Sequence, residues 1–221
     1  MKKLQDIPEI DLSNIILFGE IHGTKEIPLL LSKFFNKRAE LEDFDIFLEY
    51  SPENQPYINY YLDRGEERFL RSTPIFNSID KSDGKNSKEY FNLIKNVYDL
   101  NIKFNRFIRV ICIDVKEGDN LLDRERILAD NIKSNHNKKT FVILGNVHAS
   151  TVPLIFDNHK IISAGCILRK TELKMVSISI RPQRGKFFNI EEKKIEDYSE
   201  FDKHFDHVYI FEESTYCSFL D

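Results

Sequence analysis

Four short apolar runs punctuate the chain: Ile15 to Phe18, Ile46 to Leu48, Val110 to Ile113 and Phe141 to Leu144. None alternates polar with apolar, and each has the length of a strand buried on both faces. Longer segments between them carry helical stripes. Lys25 to Arg38 brings Ile27, Leu30, Leu31, Phe34 and Phe35 to one side, and Ser87 to Phe104 does the same with Tyr90, Leu93, Ile94, Val97 and Leu100. Leu121 to Asn135 forms a third stripe through Leu121, Ile127, Leu128 and Ile132. This alternation predicts right-handed crossovers and an α/β fold with a mainly parallel central sheet flanked by helices.

The segment from Ser51 to Asn86 breaks the pattern. Pro52, Pro56 and Pro74, an aromatic patch from Tyr57 to Leu62, and the turn-like run Lys81-Ser82-Asp83-Gly84-Lys85 read as short helices forming a cap or lid. Asp80 and Asp83 offset the lysines of that run, which is expected to be a solvated loop. Beyond His148 the strands are expected at Lys160 to Ser163, Met175 to Arg181 and His207 to Phe211, in a mixed or antiparallel part. No linker-like composition separates this part, so residues 1–221 are expected to form one domain.

Composition narrows the function classes. A hydrophobic fraction of 41% and a charged fraction of 31% are those of an ordinary globular protein. A formal net charge of −4 provides no basic footprint for nucleic acid, so a small-molecule substrate is the expected partner. Cys112, Cys166 and Cys217 have neither disulfide-framework nor zinc-knuckle spacing. Met1 to Leu12 lacks the apolar stretch of a secretory signal, and no run reaches membrane-spanning length. A cytoplasmic protein that engages neither nucleic acid nor membrane is expected, with the oligomeric state open.

Two segments echo each other: Ile15-Ile16-Leu17-Phe18-Gly19-Glu20-Ile21-His22-Gly23-Thr24 and Phe141-Val142-Ile143-Leu144-Gly145-Asn146-Val147-His148-Ala149-Ser150. Each is an apolar run, a glycine, a polar residue, a β-branched residue, a histidine, a tiny residue and a hydroxyl. Two copies of one strand-and-loop unit would bring two histidines to the same sheet edge. If the chain stays extended, Glu20 shares a side with His22 and Asn146 with His148. Other strands end in acids too, at Glu49, Asp114 and Glu212-Glu213, and open parallel sheets bind ligands at these carboxyl ends. Asp114 and Glu212 are expected to serve as helix caps. His136, His159, His204 and His207 lack the glycine context and are expected to be structural or solvent-facing.

Glu20, His22, Gly23, Thr24 and Glu26, then Leu48-Glu49, then Gly145-Asn146-Val147-His148, resemble the broad superfamily that contains erythromycin esterases, ChaN-like haem-binding proteins and the Tiki/TraB metalloproteases. The helix Arg124-Glu125-Arg126-Ile127-Leu128-Ala129-Asp130-Asn131-Ile132 is similar to a helix of that superfamily. The Gly-Glu-x-His spacing is closest to the ChaN-like pattern. The resemblance covers most of Ile15 to Ser150 and nominates Glu20, His22, Glu49, Arg124 and His148 as site residues.

Three functions follow as expectations. The first is hydrolysis of a small-molecule ester or related bond. There a neutral His22, oriented by Glu20, would activate water, Glu49 and His148 would hold substrate, and Arg124 would stabilise an oxyanion. The second is a metal-dependent hydrolase or peptidase with His22, Glu49 and His148 as ligands of a divalent ion. The third is a non-catalytic haem- or metal-binding protein. Ser51 lacks a nucleophile elbow, and Cys112 sits in an apolar strand where a thiolate is disfavoured.

Overall fold

In a computed structural model, residues 4–78, 83–116, 123–156, 159–195 and 199–220 are described. The expected positions Asp80, Lys81, Ser82 and Leu121 lie outside them. The strands are β1 (Ile15–Glu20), β2 (Asp45–Leu48), β3 (Arg109–Cys112), β4 (Thr140–Gly145), β5 (Leu154–Phe156), β6 (His159–Ile161), β7 (Met175–Asn189), β8 (Glu191–Lys194) and β9 (His207–Ser214). The helices are α1 (Glu9–Leu12), α2 (Glu26–Ala39), α3 (Gln55–Arg64), α4 (Glu67–Arg71), α5 (Lys88–Phe104), α6 (Arg124–Asn135), α7 (Asn146–Ala149), α8 (Ala164–Arg169) and α9 (Ser199–Asp202). Every apolar run falls in or directly against a strand.

The main sheet runs β3-β2-β4-β1-β7-β8, with β9 also paired to β7. All its pairings are parallel except β7 with β8. Strands β5 and β6 form a separate antiparallel pair. The C-terminal part is therefore mixed, and β7 and β9 extend the parallel sheet rather than starting an antiparallel one.

The continuous apolar runs are explained by burial on both faces. Ile16, Phe18, Ile46, Leu48, Phe141 and Ile143 pack toward α2 and α5. Ile15, Leu17, Phe47, Val142 and Leu144 pack with residues of α6 and α8. Successive side chains point to opposite faces, so a strand covered on both sides has no polar alternation to display. Phe141 anchors the first face, with its ring 5.2 Å from both Phe34 and Phe44 and 5.6 Å from Phe35.

The helices end where local chemistry ends them. Ser87 caps α5 by accepting the Tyr90 N–H, and α3 stops at Gly65, whose left-handed conformation (φ 70°) suits a residue without Cβ.

The connection from β1 crosses to β2 over the α2 face, whereas the chain leaving β4 reaches β7 by way of α8 on the other face. The carboxyl ends of β1 and β4 lie side by side, with Glu20 level with Gly145. A crevice opens where neighbouring strands send their connections to opposite faces. Both histidine motifs lie there.

Replacing Phe141 by Ala should cost about 3–5 kcal/mol, because it empties the centre of the aromatic cluster. Ile102→Ala, on the exposed side of α5, should change stability by under about 0.5 kcal/mol. Urea unfolding of both variants checks this.

Candidate functional site

The side chains of Glu20, His22, Glu49, Arg124 and His148 line one cavity of about 340 Å³ at this crevice, with Lys85 and Phe187 also in its wall. That volume is at the low end of small-ligand sites.

Two Glu–His pairs face each other across Glu49. His22 Nδ1 donates to Glu20 Oε1 at 2.7 Å, and its Nε2 lies 3.4 Å from Glu49 Oε2. His148 Nδ1 donates to Glu125 Oε1 at 2.5 Å, and its Nε2 lies 3.7 Å from Glu49 Oε1. The echo in the sequence thus places two imidazoles on the two oxygens of a single carboxylate.

The two copies differ in how they get there. His22 sits just past the extended end of β1, so Glu20 and His22 share a side as expected. After Gly145 the chain instead turns into the helical α7, and Asn146 does not join His148. Asn146 Oδ1 accepts from Ser179 on β7 at 3.3 Å. The acid partner of His148 therefore comes from α6, as Glu125, which also accepts the backbone N–H of Ala164 at the start of α8.

Two glycines make the close approach possible. A Cβ on Gly145 would lie 2.9 Å from His22 Nε2. At Gly23, φ is 76° and a Cβ would lie 1.9 Å from the Phe188 carbonyl oxygen.

Glu49 is buried at the end of β2 and fully engaged. Oε1 accepts from Lys85 Nζ at 3.1 Å and Arg124 Nη2 at 2.7 Å, while Oε2 accepts the Gly145 N–H at 2.8 Å. Burial alone would raise its pKa, but the charges of Lys85 and His22 overcome this and hold it well below the usual carboxylate range. Burial lowers the Lys85 ammonium pKa, and Glu49 and Asp83 more than restore it, so it is raised overall.

Burial likewise opposes the charge on His22, yet Glu49 and Glu20 raise its pKa from 6.5 to about 10. Its two carboxylate neighbours thus favour the imidazolium at neutral pH, where a neutral, water-activating His22 was expected; the second of them, Glu49, was not legible from the local motif. His22 Nε2 is buried without a hydrogen-bond partner. His148 has a different third neighbour: Arg124 Nη1 lies 3.2 Å from its Nε2, and a guanidinium can only donate, so in this contact Nε2 is the acceptor.

Several partners went unnamed at the sequence level. Lys85, expected in a solvated loop, is largely buried with both Glu49 and Asp83 within 3.1 Å. Asp114, expected to be a helix cap, instead takes Arg124 bidentately, from Nε and Nη2 at 2.7 Å each. Tyr90, read only as core, donates its hydroxyl to Glu20 Oε1. Glu125 was within the quoted helix motif, and its spacing of one residue from Arg124 was the available signal. Glu212 and Glu213 are exposed and pair with Arg184 away from the site. Cys112 is inert, its thiol pushed up to about 12 by burial.

Among the described residues no group of three or more His, Cys, Asp and Glu side chains is arranged to hold a metal ion. The donor set explains why the expected ligands do not fit one. Lys85 and Arg124 already occupy Glu49 Oε1, Arg124 occupies His148 Nε2, and His22 is itself cationic, so a divalent ion would meet three positive charges. Haem iron fits no better, since both Nε2 atoms face Glu49 rather than an open face.

The fold and this crevice define an α/β architecture with its polar residues at a topological switch point. Solved structures share the fold. A protein from Bacillus cereus matches with TM-score 0.74 and 11% identity, over 99% of this chain and 93% of its own. A succinoglycan biosynthesis protein matches with TM-score 0.72 and 12% identity, over 98% and 93%. A variant of the erythromycin esterase EreC in its open conformation matches with TM-score 0.54 and 10% identity, over 85% and 77%. The fold implied by the resemblance of the motifs is thus the fold observed. No family model and no curated protein sequence matches the chain.

The imidazolium contributes stability that is fully present below pH 6.5 and is lost as pH rises through about 10. Unfolding free energy should therefore fall across this window, and His22→Gln should flatten that fall. Tyr90→Phe withdraws a donor from Glu20 and should move the His22 titration upward, whereas Glu20→Gln should move it down. NMR of ring-labelled histidine reads both shifts.

Proposed function

We propose that this cleft hydrolyses a small-molecule ester or related bond by paired acid–base catalysis. The observation that carries the reading is two imidazoles facing one carboxylate with different third neighbours, His22 Nε2 against Glu49 alone and His148 Nε2 against the Arg124 guanidinium. Neighbouring titratable groups pushed into different states mark the acid and the base. His148 is the base and His22 the acid.

A water replaces Arg124 at His148 Nε2 and gives that nitrogen a proton as its oxygen bonds to the substrate carbonyl carbon. The freed Arg124 Nη1 donates to the resulting oxyanion, a role worth roughly 3–4 kcal/mol for a preorganised donor. When the carbon–oxygen bond to the leaving group breaks, His22 Nε2–H protonates the departing alkoxide. Positive charge thus moves from one imidazole to the other across Glu49, which lies within 3.7 Å of each Nε2. Glu49 stabilises both distributions. Proton exchange with water resets the pair.

A fold shared with an erythromycin esterase is consistent with this chemistry. The chain itself is read as a single domain in which the described residues between Ser51 and Ser78, with Asp83 and Lys85, border the cleft. Its acidic balance suits a diffusible small-molecule substrate rather than nucleic acid, and among the described residues no helix is long and apolar enough to cross a membrane.

Initial rates on a panel of short-chain esters test the proposal. His148→Gln should lower kcat about 10²–10⁴-fold. The wild-type rate should fall as pH rises through about 10, and His22→Gln, already slow, should lose that falling limb. Unchanged turnover in both variants would overturn the assignment.

A further inference from the structure

A second cavity, of about 320 Å³, adjoins the first and shares Glu49, Asp83 and Lys85 with it. The bridge of Lys85 to Glu49 and Asp83 is the partition between them. We infer that the cleft takes a two-part substrate, whose neutral, hydroxyl-bearing half occupies this second chamber while the scissile bond lies between the histidines. The inference rests on the hydrolytic reading of the first chamber.

The second chamber is a built space. Asn54 spends its whole amide on the wall: Nδ2 donates to the Ser51 carbonyl at 2.9 Å and to Ser51 Oγ at 3.0 Å, and Oδ1 accepts the Ile75 N–H at 2.9 Å. Tyr50 donates its hydroxyl to the Lys85 carbonyl at 2.7 Å, which fixes the partition from behind. These bonds join the stretch after β2, the turn around Ile75 and the loop before α5 into one preorganised wall. Preorganised polar walls reduce the ordering cost of binding.

The charges in the wall select the ligand's chemistry. Glu49, Asp83 and Asp114 all reach the chamber, and Lys85 and Arg124 already pair them. An anionic group would meet three carboxylates, and a cationic one would compete with two cations in place. Hydroxyl groups suit the remaining valences, because they donate to unused carboxylate lone pairs and accept from Ser51 Oγ–H and the third Lys85 N–H. Pro74 and Ile75 supply apolar surface for the C–H face of such a group. A carboxylated or phosphorylated half would be excluded.

The test compares glycerol monobutyrate with ethyl butyrate, which present the same acyl group with and without a hydroxylated leaving half. Wild-type kcat/KM should favour the glyceryl ester at least about tenfold, a discrimination of about 1.4 kcal/mol. Ile75→Trp fills the second chamber without entering the first. Ser51→Leu removes its donor and narrows it, which covers the case in which the tryptophan variant does not fold. Either folded variant should bring the ratio close to one and leave ethyl butyrate turnover unchanged. Absence of a wild-type preference, or its survival in both variants, overturns the inference. If neither ester is turned over, the hydrolytic reading fails, and the chamber is then judged by glycerol titration alone. Perturbed Ser51 and Asn54 amide NMR signals that vanish in the variants support it; unperturbed signals in the wild type overturn it.

Discussion

The buried Glu49 carboxylate is the constraint around which the molecule is organised. An ionised group at the end of a strand, with almost no exposure, costs several kcal/mol unless its charge is matched and its lone pairs are filled. The required partners come from four separate stretches: His22 after β1, Lys85 before α5, Arg124 at the start of α6, and the Gly145 N–H at the end of β4. Loss of any one leaves charge uncompensated where water cannot reach it. The convergence of these segments is therefore a consequence of burying one acid, and the cavity is the space their side chains leave between them.

The parallel sheet makes such a convergence affordable. Helices cover both faces, so the carboxyl ends of β1, β2 and β4 form the edge at which polar groups can collect without crossing the core. The switch point between β1 and β4 then separates the outgoing connections and leaves room above Glu20 and Gly145. Gly145 matters twice here. It donates its N–H to Glu49, and its missing side chain admits the His22 ring.

This explains what was legible in the sequence. The strands and helices were readable because the two apolar periodicities are imposed by burial, and the runs at Ile15 to Phe18 and Phe141 to Leu144 have no other use. Glu20, His22, Glu49, Arg124 and His148 were legible as candidates because they follow strand ends or sit in recognisable motifs. Their partners were not. Lys85 lies 36 residues beyond Glu49 in a loop whose composition looks solvated, and nothing in the loop itself signals that its ammonium turns inward. Asp114 was read as a cap because a strand-end acid before a helix fits both roles. The helical turn at Asn146 was hidden because the echo itself argued for two identical extended copies. Tertiary placement, rather than local pattern, decides all three.

The same distinction governs the electrostatics of the site. Two histidines in near-identical local motifs are each backed by a glutamate on Nδ1. What separates them is the third neighbour. His22 has two carboxylates, one on either nitrogen, and both favour the cation. His148 has one carboxylate on Nδ1, but Arg124 reaches Nε2 before Glu49 does, at 3.2 Å against 3.7 Å, and demands a lone pair there. One guanidinium thus breaks the symmetry of a repeated motif. The two imidazoles on either side of Glu49 therefore stand in different electrostatic surroundings although their local motifs are nearly the same.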